Sequence, residues 1–261
     1  MAPRHESIPA RPRAVFLSDS HLGIKLARGK ELLEFLQGIE PQQLYLVGDI
    51  FDAWVLTSRW HWPPEYTQIV DRILELAQRG TEVLVTPGNH DAFLRGPLPR
   101  LPLLSIADEF QHETADGRRF VVTHGDLFDG IEKGFRWLSK VGSFGYTLVV
   151  DANIATNWLL RRLGMRPRYY SFWIKRTSKR LLGAHGRFRR KLLEHARGQR
   201  VTGIICGHVH LPQMLQDEGI EYINTGDWLE NASAVVELES GELVLFNYGR
   251  EVARSAAPPA S

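Results

Sequence analysis

Short apolar runs recur along the chain, and each of them ends in a cluster of Gly, Asp, Asn or His residues. The runs are rich in Val, Ile and Leu, which is typical of buried strands. They are Ala14 to Leu17, Leu44 to Val47, Glu82 to Thr86, Phe120 to Thr123 and Gly203 to Cys206. Helical patterns lie between them, notably Gly29 to Gln37 and Tyr66 to Arg79. Because strands alternate with helices, we predict an α/β fold whose polar clusters meet at the carboxyl ends of the strands.

Three further runs near the C-terminus resemble antiparallel strands. They are Glu221 to Asn224, Ser233 to Leu238 and Glu242 to Tyr248, with a turn predicted at Ser240-Gly241. Both ends of the chain are rich in proline and in charged or small residues. We therefore predict one domain over residues 14–250, between a disordered leader (1–13) and a disordered tail (251–261).

A helical segment without strand patterns covers about residues 131–198, and we predict that it forms a cap inserted into the domain. Between Arg166 and Arg200 it has twelve Lys or Arg residues and one acid, Glu194, with aromatic residues interleaved. These side chains could bind phosphates, anionic lipid head groups and acyl chains. The alternative is a solvated basic face whose aromatics pack on the core. Arg176 and Lys179, about one helical turn apart, are the predicted substrate contacts.

Composition indicates where in the cell the protein is found and which type of metal site it could have. The chain has 261 residues, a formal net charge of +2 and a single cysteine, Cys206. One cysteine excludes an intrachain disulfide and disfavours a structural zinc site built from thiolates. The leader has no apolar run like that of a signal peptide, and no apolar stretch approaches the roughly 20 residues needed to span a bilayer. We therefore expect a cytoplasmic protein.

The polar clusters contain the ligand types that a pair of divalent cations requires, namely carboxylate, amide oxygen and imidazole. The candidate ligands are Asp19, His21, Asp49, Asn89, His124, His208 and His210. Asp19 and His21 are two residues apart, as are the last two histidines, so each pair could face one ion. Asp49 could bridge two ions with its two oxygens. A single cluster could be a helix cap or a turn, but five clusters at strand ends favour a shared site.

The clusters, taken in order, resemble the signature of the calcineurin-like metallophosphoesterases. The matching blocks are Asp19-Ser20-His21, Gly48-Asp49-Ile50-Phe51-Asp52, Gly88-Asn89-His90-Asp91, His124-Gly125-Asp126 and Gly207-His208-Val209-His210. The resemblance implies an αββα sandwich of two mixed sheets flanked by helices. It also implies that one metal is held by Asp19, His21 and His210. The other would be held by Asn89, His124 and His208, with Asp49 as the bridge.

Three residues of these blocks are candidates for catalytic roles beside the metals. His90 could contact the phosphate or protonate the leaving oxygen, which suits an imidazole near neutral pH. Asp91 is expected to orient His90, and Asp52 is a second candidate for such a supporting role. Asn89 and His90 are also predicted to contact the substrate.

Within the superfamily the chain is most similar to the UDP-2,3-diacylglucosamine diphosphatase group. The similarity rests on Phe16 to Gly23, Gly48 to Asp52, the helical insertion and Tyr222 to Trp228. It implies two divalent ions, with manganese favoured over iron or zinc, and cleavage of a lipid-linked nucleotide to UMP and a lipid phosphate. It also implies a role in lipid A synthesis, with peripheral binding to the inner face of the cytoplasmic membrane as an anionic partner surface. The group generally has Arg where this chain has His90.

Other activities share the same predicted metal site. The substrate could be a nucleotide or a phosphoprotein, and a nucleic acid is conceivable but not favoured. A non-enzymatic scaffold of the same fold is the remaining alternative. Such a scaffold should have gaps among the ligand positions, and the sequence has none.

Overall fold

The computed structural model describes residues 8–96, 103–129, 184–247 and 250–255. The chain divides into two compact units, one of residues 1–126 with 192–261 and one of residues 127–191. Most of the predicted cap, including Arg176 and Lys179, lies outside the described residues. So do most of the predicted leader and the last six residues of the predicted tail.

The larger unit contains two mixed β-sheets. The strands of the first sheet are β1 (Ala14–Leu17), β2 (Gln43–Val47), β3 (Glu82–Thr86), β4 (Leu104–Ile106), β10 (Ser233–Glu237), β11 (Leu243–Asn247) and β12 (Arg250–Arg254). Those of the second are β5 (Glu109–Glu113), β6 (Arg119–Thr123), β7 (Gly203–Cys206), β8 (Gln213–Asp217) and β9 (Ile220–Asn224). The strand orders are β12-β11-β10-β1-β2-β3-β4 and β5-β6-β7-β9-β8.

Four α-helices are described: α1 (Gly29–Gln37), α2 (Ala53–Leu56), α3 (Pro64–Gln78) and α4 (Ala184–Gly198). Helices α1 and α3 were predicted from the sequence, and Pro64 occupies the first turn of α3, where its missing N–H has no cost. Single 3-10 turns lie at Ala92–Arg95 and Asp126–Phe128. None of the helices in these ranges is long and apolar enough to cross a membrane.

The five central strands of the first sheet, β11, β10, β1, β2 and β3, are buried on both faces, which explains why they are continuous apolar runs, whereas the edge strands β12 and β4 are partly exposed. Alternate residues of β1 enter different cores, since side chains alternate across a strand. Val15 and Leu17 join the core that contains residues of α1 and α3, and Phe16 joins a second core with Phe120 and Ile205 of the other sheet. The predicted fold class, an α/β sandwich of two mixed sheets, is confirmed.

The C-terminal region corrects the sequence analysis in two places. Strands β10 and β11 form the predicted antiparallel pair, but β9 belongs to the second sheet, where it runs parallel to β7 and antiparallel to β8. The tail predicted to be disordered from residue 251 begins instead with β12, which pairs with β11. Ser255 is buried because its Oγ accepts hydrogen bonds from Leu243 N and Arg118 Nη2. These hydrogen bonds hold the end of β12 in place, although its sequence has only a weak strand pattern.

Candidate metal centre

Every predicted metal ligand follows the carboxyl end of a strand. Strands β1, β2 and β3 are mutually parallel in the first sheet, and β6 and β7 are parallel in the second. The side chains after these strands therefore meet at one edge of the sandwich. Three groups of side chains converge, and within each group the ligand atoms lie within 4.8 Å of one another: Asp19/His21/His210, His21/Asp49/His90 and Asp49/His124/His208. The third ligand type is the amide of Asn89, which precedes His90 in the chain and whose Oδ1 atom is buried.

Asp49 lies between the two histidine groups. Its Oδ2 is 3.4 Å from His124 Nε2 and 3.9 Å from His21 Nε2. On the other side of His21, the Nε2 atoms of His21 and His210 are 3.4 Å apart, and Asp19 Oδ1 is 3.2 Å from His210 Nε2. One carboxylate is thus shared by two sets of converging ligand atoms.

Three of the imidazole rings are oriented by an acceptor at Nδ1. His21 Nδ1 lies 3.2 Å from Asp52 Oδ2, His210 Nδ1 lies 3.4 Å from Asp227 Oδ2, and His124 Nδ1 donates to Val47 O at 2.8 Å. A proton held at Nδ1 leaves the Nε2 lone pair directed at the centre, as metal-bound histidines require.

Divalent ions would satisfy atoms that the protein leaves unsatisfied. Six buried side-chain polar atoms in the described residues have no hydrogen-bond partner, and three of them belong to predicted ligands: Asp19 Oδ1, Asn89 Oδ1 and His124 Nε2. Buried polar atoms nearly always have a partner, so a cluster of orphaned atoms needs an explanation. Their chemistry, carboxylate and amide oxygen with imidazole nitrogen, fits divalent metal ions.

The backbone around the ligands adopts sparsely populated conformations. Eight described residues other than glycine have positive φ, and five of them are predicted ligands: Asp19, His21, Asp49, His208 and His210. A left-handed conformation costs a non-glycine residue roughly 1–2 kcal/mol. Such costs concentrate at functional sites, because the surrounding structure must impose them.

Glycines allow the ligand loops to approach each other. A Cβ added to Gly48, where φ is +78°, would lie 2.3 Å from His124 Cγ, and one added to Gly88 would lie 2.2 Å from Asp49 Oδ1. Any side chain at either position would displace a predicted ligand. The glycines of the sequence blocks are therefore required for close approach as well as for turning the chain.

The charge of Asp49 is stabilised by its neighbours. Burial raises the pKa of Asp49, but the imidazole of His124, with a smaller contribution from His90, outweighs burial and holds the pKa well below its usual value. The carboxylate is therefore ionised at neutral pH, which is the form in which a carboxylate can bind a cation.

A family model described as Calcineurin-like phosphoesterase matches residues 12–212, a range that contains all seven predicted ligands. The chain belongs to this family. It is accordingly a hydrolase of the metallophosphoesterase type.

The relatives that match most of the chain include two with the same name. UDP-2,3-diacylglucosamine hydrolase from Haemophilus influenzae (strain PittGG) is 25% identical over 240 residues, which cover 87% of this chain and 95% of the relative. The protein of the same name from Porphyromonas gingivalis is 24% identical over 262 residues, covering 87% and 94%. Among solved structures, the E. coli phosphoesterase Yfce shares 19% identity and a TM-score of 0.49, covering 93% of this chain and 98% of its own.

His90 is held beside the predicted ligands by three side chains. Its Nδ1 lies 2.8 Å from Asp52 Oδ2 in an ion-pair contact that lacks the geometry of a hydrogen bond. The His90 ring lies 4.1 Å from the Trp54 ring at 31°, and its edge-to-face distance to the His21 ring is 4.6 Å. Burial lowers the pKa of His90, but its contact with Asp52 and the charge of Asp49 outweigh burial and raise it.

Asp91 does not orient His90, so that part of the sequence analysis is wrong. The Asp91 carboxylate folds back over its own loop and accepts hydrogen bonds from Gly88 N at 2.6 Å and Ile50 N at 2.7 Å. It joins the loops after β2 and β3, whose buried N–H groups need an acceptor. Asp52 takes the role expected of Asp91, because one of its oxygens contacts both His21 and His90 while the other caps α2 at Val55 N.

Sequence analysis missed Asp227, which positions His210 from the loop after β9. Its Oδ2 contacts His210 Nδ1, and its Oδ1 accepts from the N–H groups of Leu229 and Glu230 at 2.9 and 2.7 Å. Burial raises the pKa of Asp227, but the contact with His210 outweighs burial and lowers it. The signal was present, since Asp227 follows an apolar run and a glycine as the recognised clusters do.

Arg95 was missed as well, and it joins two ligand loops. It lies at the end of the 3-10 turn after the Gly88-Asn89-His90-Asp91 block, and its guanidinium forms a two-bond pair with Asp126, two residues beyond His124. No short-range pattern in the sequence identifies this partner, which is 31 residues away.

Proposed function

We propose that this protein is a dinuclear metal hydrolase that cleaves a phosphate ester or a pyrophosphate. The observation that carries the proposal is the position of Asp49 Oδ2 between His124 Nε2 (3.4 Å) and His21 Nε2 (3.9 Å). Two-metal sites place their ions about 3.5–4 Å apart and need a shared anion between them. In this proposal Asp19, His21 and His210 hold one ion, and Asn89, His124 and His208 hold the other. Manganese is the favoured metal, although mixed oxygen and nitrogen ligands also suit iron and zinc.

The two ions, when bound, supply an activated water near neutral pH and neutralise negative charge on the phosphoryl oxygens. The protein's own residues hold this arrangement rigid. Asp52 and Asp227 fix the rings of His21 and His210 through Nδ1. His90 lies beside Asp49, where it can donate a hydrogen bond to a phosphoryl oxygen or a proton to the leaving oxygen. Trp54 and Asp52 contact the His90 ring and so orient it.

The proposed substrate is UDP-2,3-diacylglucosamine or a similar lipid-linked nucleotide, which water would cleave to UMP and a lipid phosphate. Two relatives with the name UDP-2,3-diacylglucosamine hydrolase support this substrate class, and each match covers 87% of the chain. Such a substrate would bring the protein to the inner face of the cytoplasmic membrane, where the basic residues of the predicted cap could contact anionic lipids. In this proposal Arg176 and Lys179 contact the substrate, together with Asn89 and His90.

The test is hydrolysis by metal-free protein reloaded with manganese. UDP-2,3-diacylglucosamine and bis-p-nitrophenyl phosphate are assayed in parallel, with Asp49→Asn as the blank for contaminating hydrolases. Release of UMP at a rate far above the generic turnover is the expected result. Cleavage of the generic ester alone would reject the lipid-linked substrate and favour a phosphodiesterase acting on other nucleotides. If the loaded protein cleaves neither ester, the proposed dinuclear reaction and the proposed substrate are both rejected.

A further inference from the structure

The ligands of one candidate metal position come from both sheets. Asn89 follows β3 of the first sheet, whereas His124 and His208 follow β6 and β7 of the second. The distance between the Asn89 amide and the two imidazoles therefore depends on how the loops of the two sheets are fastened together. A metal position tolerates errors of only a few tenths of an ångström in its ligand distances.

Arg95 joins the loop after β3 to the second sheet through hydrogen bonds from all three of its side-chain nitrogens. Its Nη1 and Nη2 each donate to one Asp126 oxygen at 2.9 Å. The same two nitrogens donate to the carbonyls of Gly88 at 3.2 Å and Pro87 at 2.6 Å, directly before Asn89. Its Nε donates to Asp108 at 2.8 Å. An arginine has five N–H donors in a planar fork, and here five hydrogen bonds join one loop of the first sheet to two segments of the second.

The other metal position is fastened without Arg95. Ser18, beside Asp19, forms a 2.6 Å hydrogen bond with Thr225 across the two sheets, and Asp19 Oδ2 accepts from His208 N at 3.0 Å. His210 is oriented by Asp227. Among the described contacts, none joins Arg95 to these residues, so loss of its guanidinium should affect the two positions unequally.

We infer that Arg95 is a positioning residue that sets the affinity of the Asn89/His124/His208 metal position and has little effect on the Asp19/His21/His210 position. The inference rests on the dinuclear centre of the proposed function. Its physical cause is the planar pair with Asp126, which fixes the Asn89 and His124 loops at one separation. Lysine carries the same charge but cannot form two parallel bonds to a carboxylate while also holding two carbonyls.

The chain offers a matched control in Arg118, a second arginine held by carboxylates and a carbonyl. Arg118 donates to Glu221 at 2.8 Å, to Asp116 at 3.0 Å and to Gly241 O at 3.0 Å. It lies at the amino end of β6, opposite the His124 end of the same strand. Arg118→Met should therefore destabilise the fold through the loss of a comparable network without changing metal affinity.

The experiment measures manganese binding to wild type, Arg95→Met, Arg95→Lys, Asp126→Asn and Arg118→Met. Titration calorimetry gives the two dissociation constants, and electron paramagnetic resonance separates coupled pairs from single ions. We expect two ions in wild type and in Arg118→Met. In Arg95→Met and Asp126→Asn we expect one unchanged constant, a second that is weaker by about 10–100-fold, and the signal of a single ion at limiting manganese. Arg95→Lys should behave like Arg95→Met.

Two results would overturn the inference. Either both constants stay at wild-type values in Arg95→Met and Asp126→Asn, or both constants weaken together in variants whose circular dichroism shows a folded chain. If Arg95→Met does not fold, Asp126→Asn and Arg95→Lys decide by the same criteria. A wild-type protein that binds fewer than two ions would instead refute the dinuclear centre itself.

Discussion

Replacing Gly88 by alanine perturbs the loop that packs against the shared carboxylate. The new Cβ would lie 2.2 Å from Asp49 Oδ1, 2.8 Å from its Cγ and 2.6 Å from its backbone nitrogen. Asp49 cannot move aside freely, because its Oδ1 accepts a 2.7 Å hydrogen bond from His90 N. Overpacking costs about 1–3 kcal/mol and the loss of a hydrogen bond to a carboxylate costs about 1.5–3 kcal/mol. We therefore expect Gly88→Ala to lower the free energy of unfolding by about 2.5–6 kcal/mol.

Thermal unfolding and metal analysis together measure this effect. A loss of this size lowers the melting temperature by roughly 5–24 °C in a domain of this length. Both manganese ions should bind more weakly, because Asp49 is proposed to contact both. Gly38→Ala is the control, since its nearest atoms, Phe35 O and Glu34 O, would be 3.4 and 3.6 Å away. A Gly88→Ala protein that melts like Gly38→Ala and retains two ions would refute the close packing described for this loop.

Three further predictions concern residues around the centre and the core. His90→Ala should lower kcat by about 10²–10⁴-fold without loss of manganese, because the proposed role of His90 is in proton transfer or phosphate contact; unchanged turnover would contradict that role. In the metal-free protein, the lowered pKa of Asp227 stabilises the fold above about pH 4, and this contribution is lost as the pH falls through the folded-state pKa. Asp227→Asn should therefore flatten the loss of stability below about pH 4, as measured by urea unfolding, and an unchanged pH profile would argue against the pair with His210. Glu237→Ala should cost about 3–5 kcal/mol in urea unfolding, because it leaves His112 and Arg13 without their carboxylate partner. Its manganese content should remain at the wild-type level, and a loss of metal would show that the two regions are coupled.

The positions of the ligands could be predicted from the sequence because each cluster is local. An apolar run followed within three residues by Asp19, Asp49 or Asn89 indicates both the strand and the loop at its carboxyl end. Parallel strands place such ends at the same edge, so no knowledge of the loops was needed to bring the clusters together. The same reasoning would have included Asp227, whose run and glycine have the same form.

The partners of the histidines could not be predicted, because they depend on the orientation of the loops. Asp52 and Asp91 are both acidic residues close to His90 in the motif, and only the folded loops show that Asp91 is occupied by the N–H groups of Gly88 and Ile50. The strand β12 was missed for a related reason. Its residues show only a weak strand pattern. The strand is held in place by its pairing with β11 and by the hydrogen bond between the distant Arg118 and Ser255.

The two sheets are also joined at a point that needs no metal. His112 of β5 contacts the Tyr45 hydroxyl of β2 at 3.1 Å and the Glu237 carboxylate of β10 at 2.8 Å, and all three side chains are buried. Phe16 stacks on Tyr45 with 4.6 Å between ring centroids and meets the His112 ring edge to face. These contacts, with the apolar core around them, should keep the sandwich folded when the ions are removed.

The edge of the sandwich that carries the predicted ligands is destabilised in the absence of metal. Its left-handed residues and its buried polar atoms without hydrogen-bond partners cost free energy that the ions would offset. Ions that bind only the folded chain add stability as RT ln(1 + [L]/Kd), about 4.1 kcal/mol at a thousandfold excess over Kd. We therefore expect manganese to raise the melting temperature of a protein that is already folded. Because we expect the sandwich to fold without the ions, changes in metal affinity at Gly88 or Arg95 can be measured separately from changes in its stability.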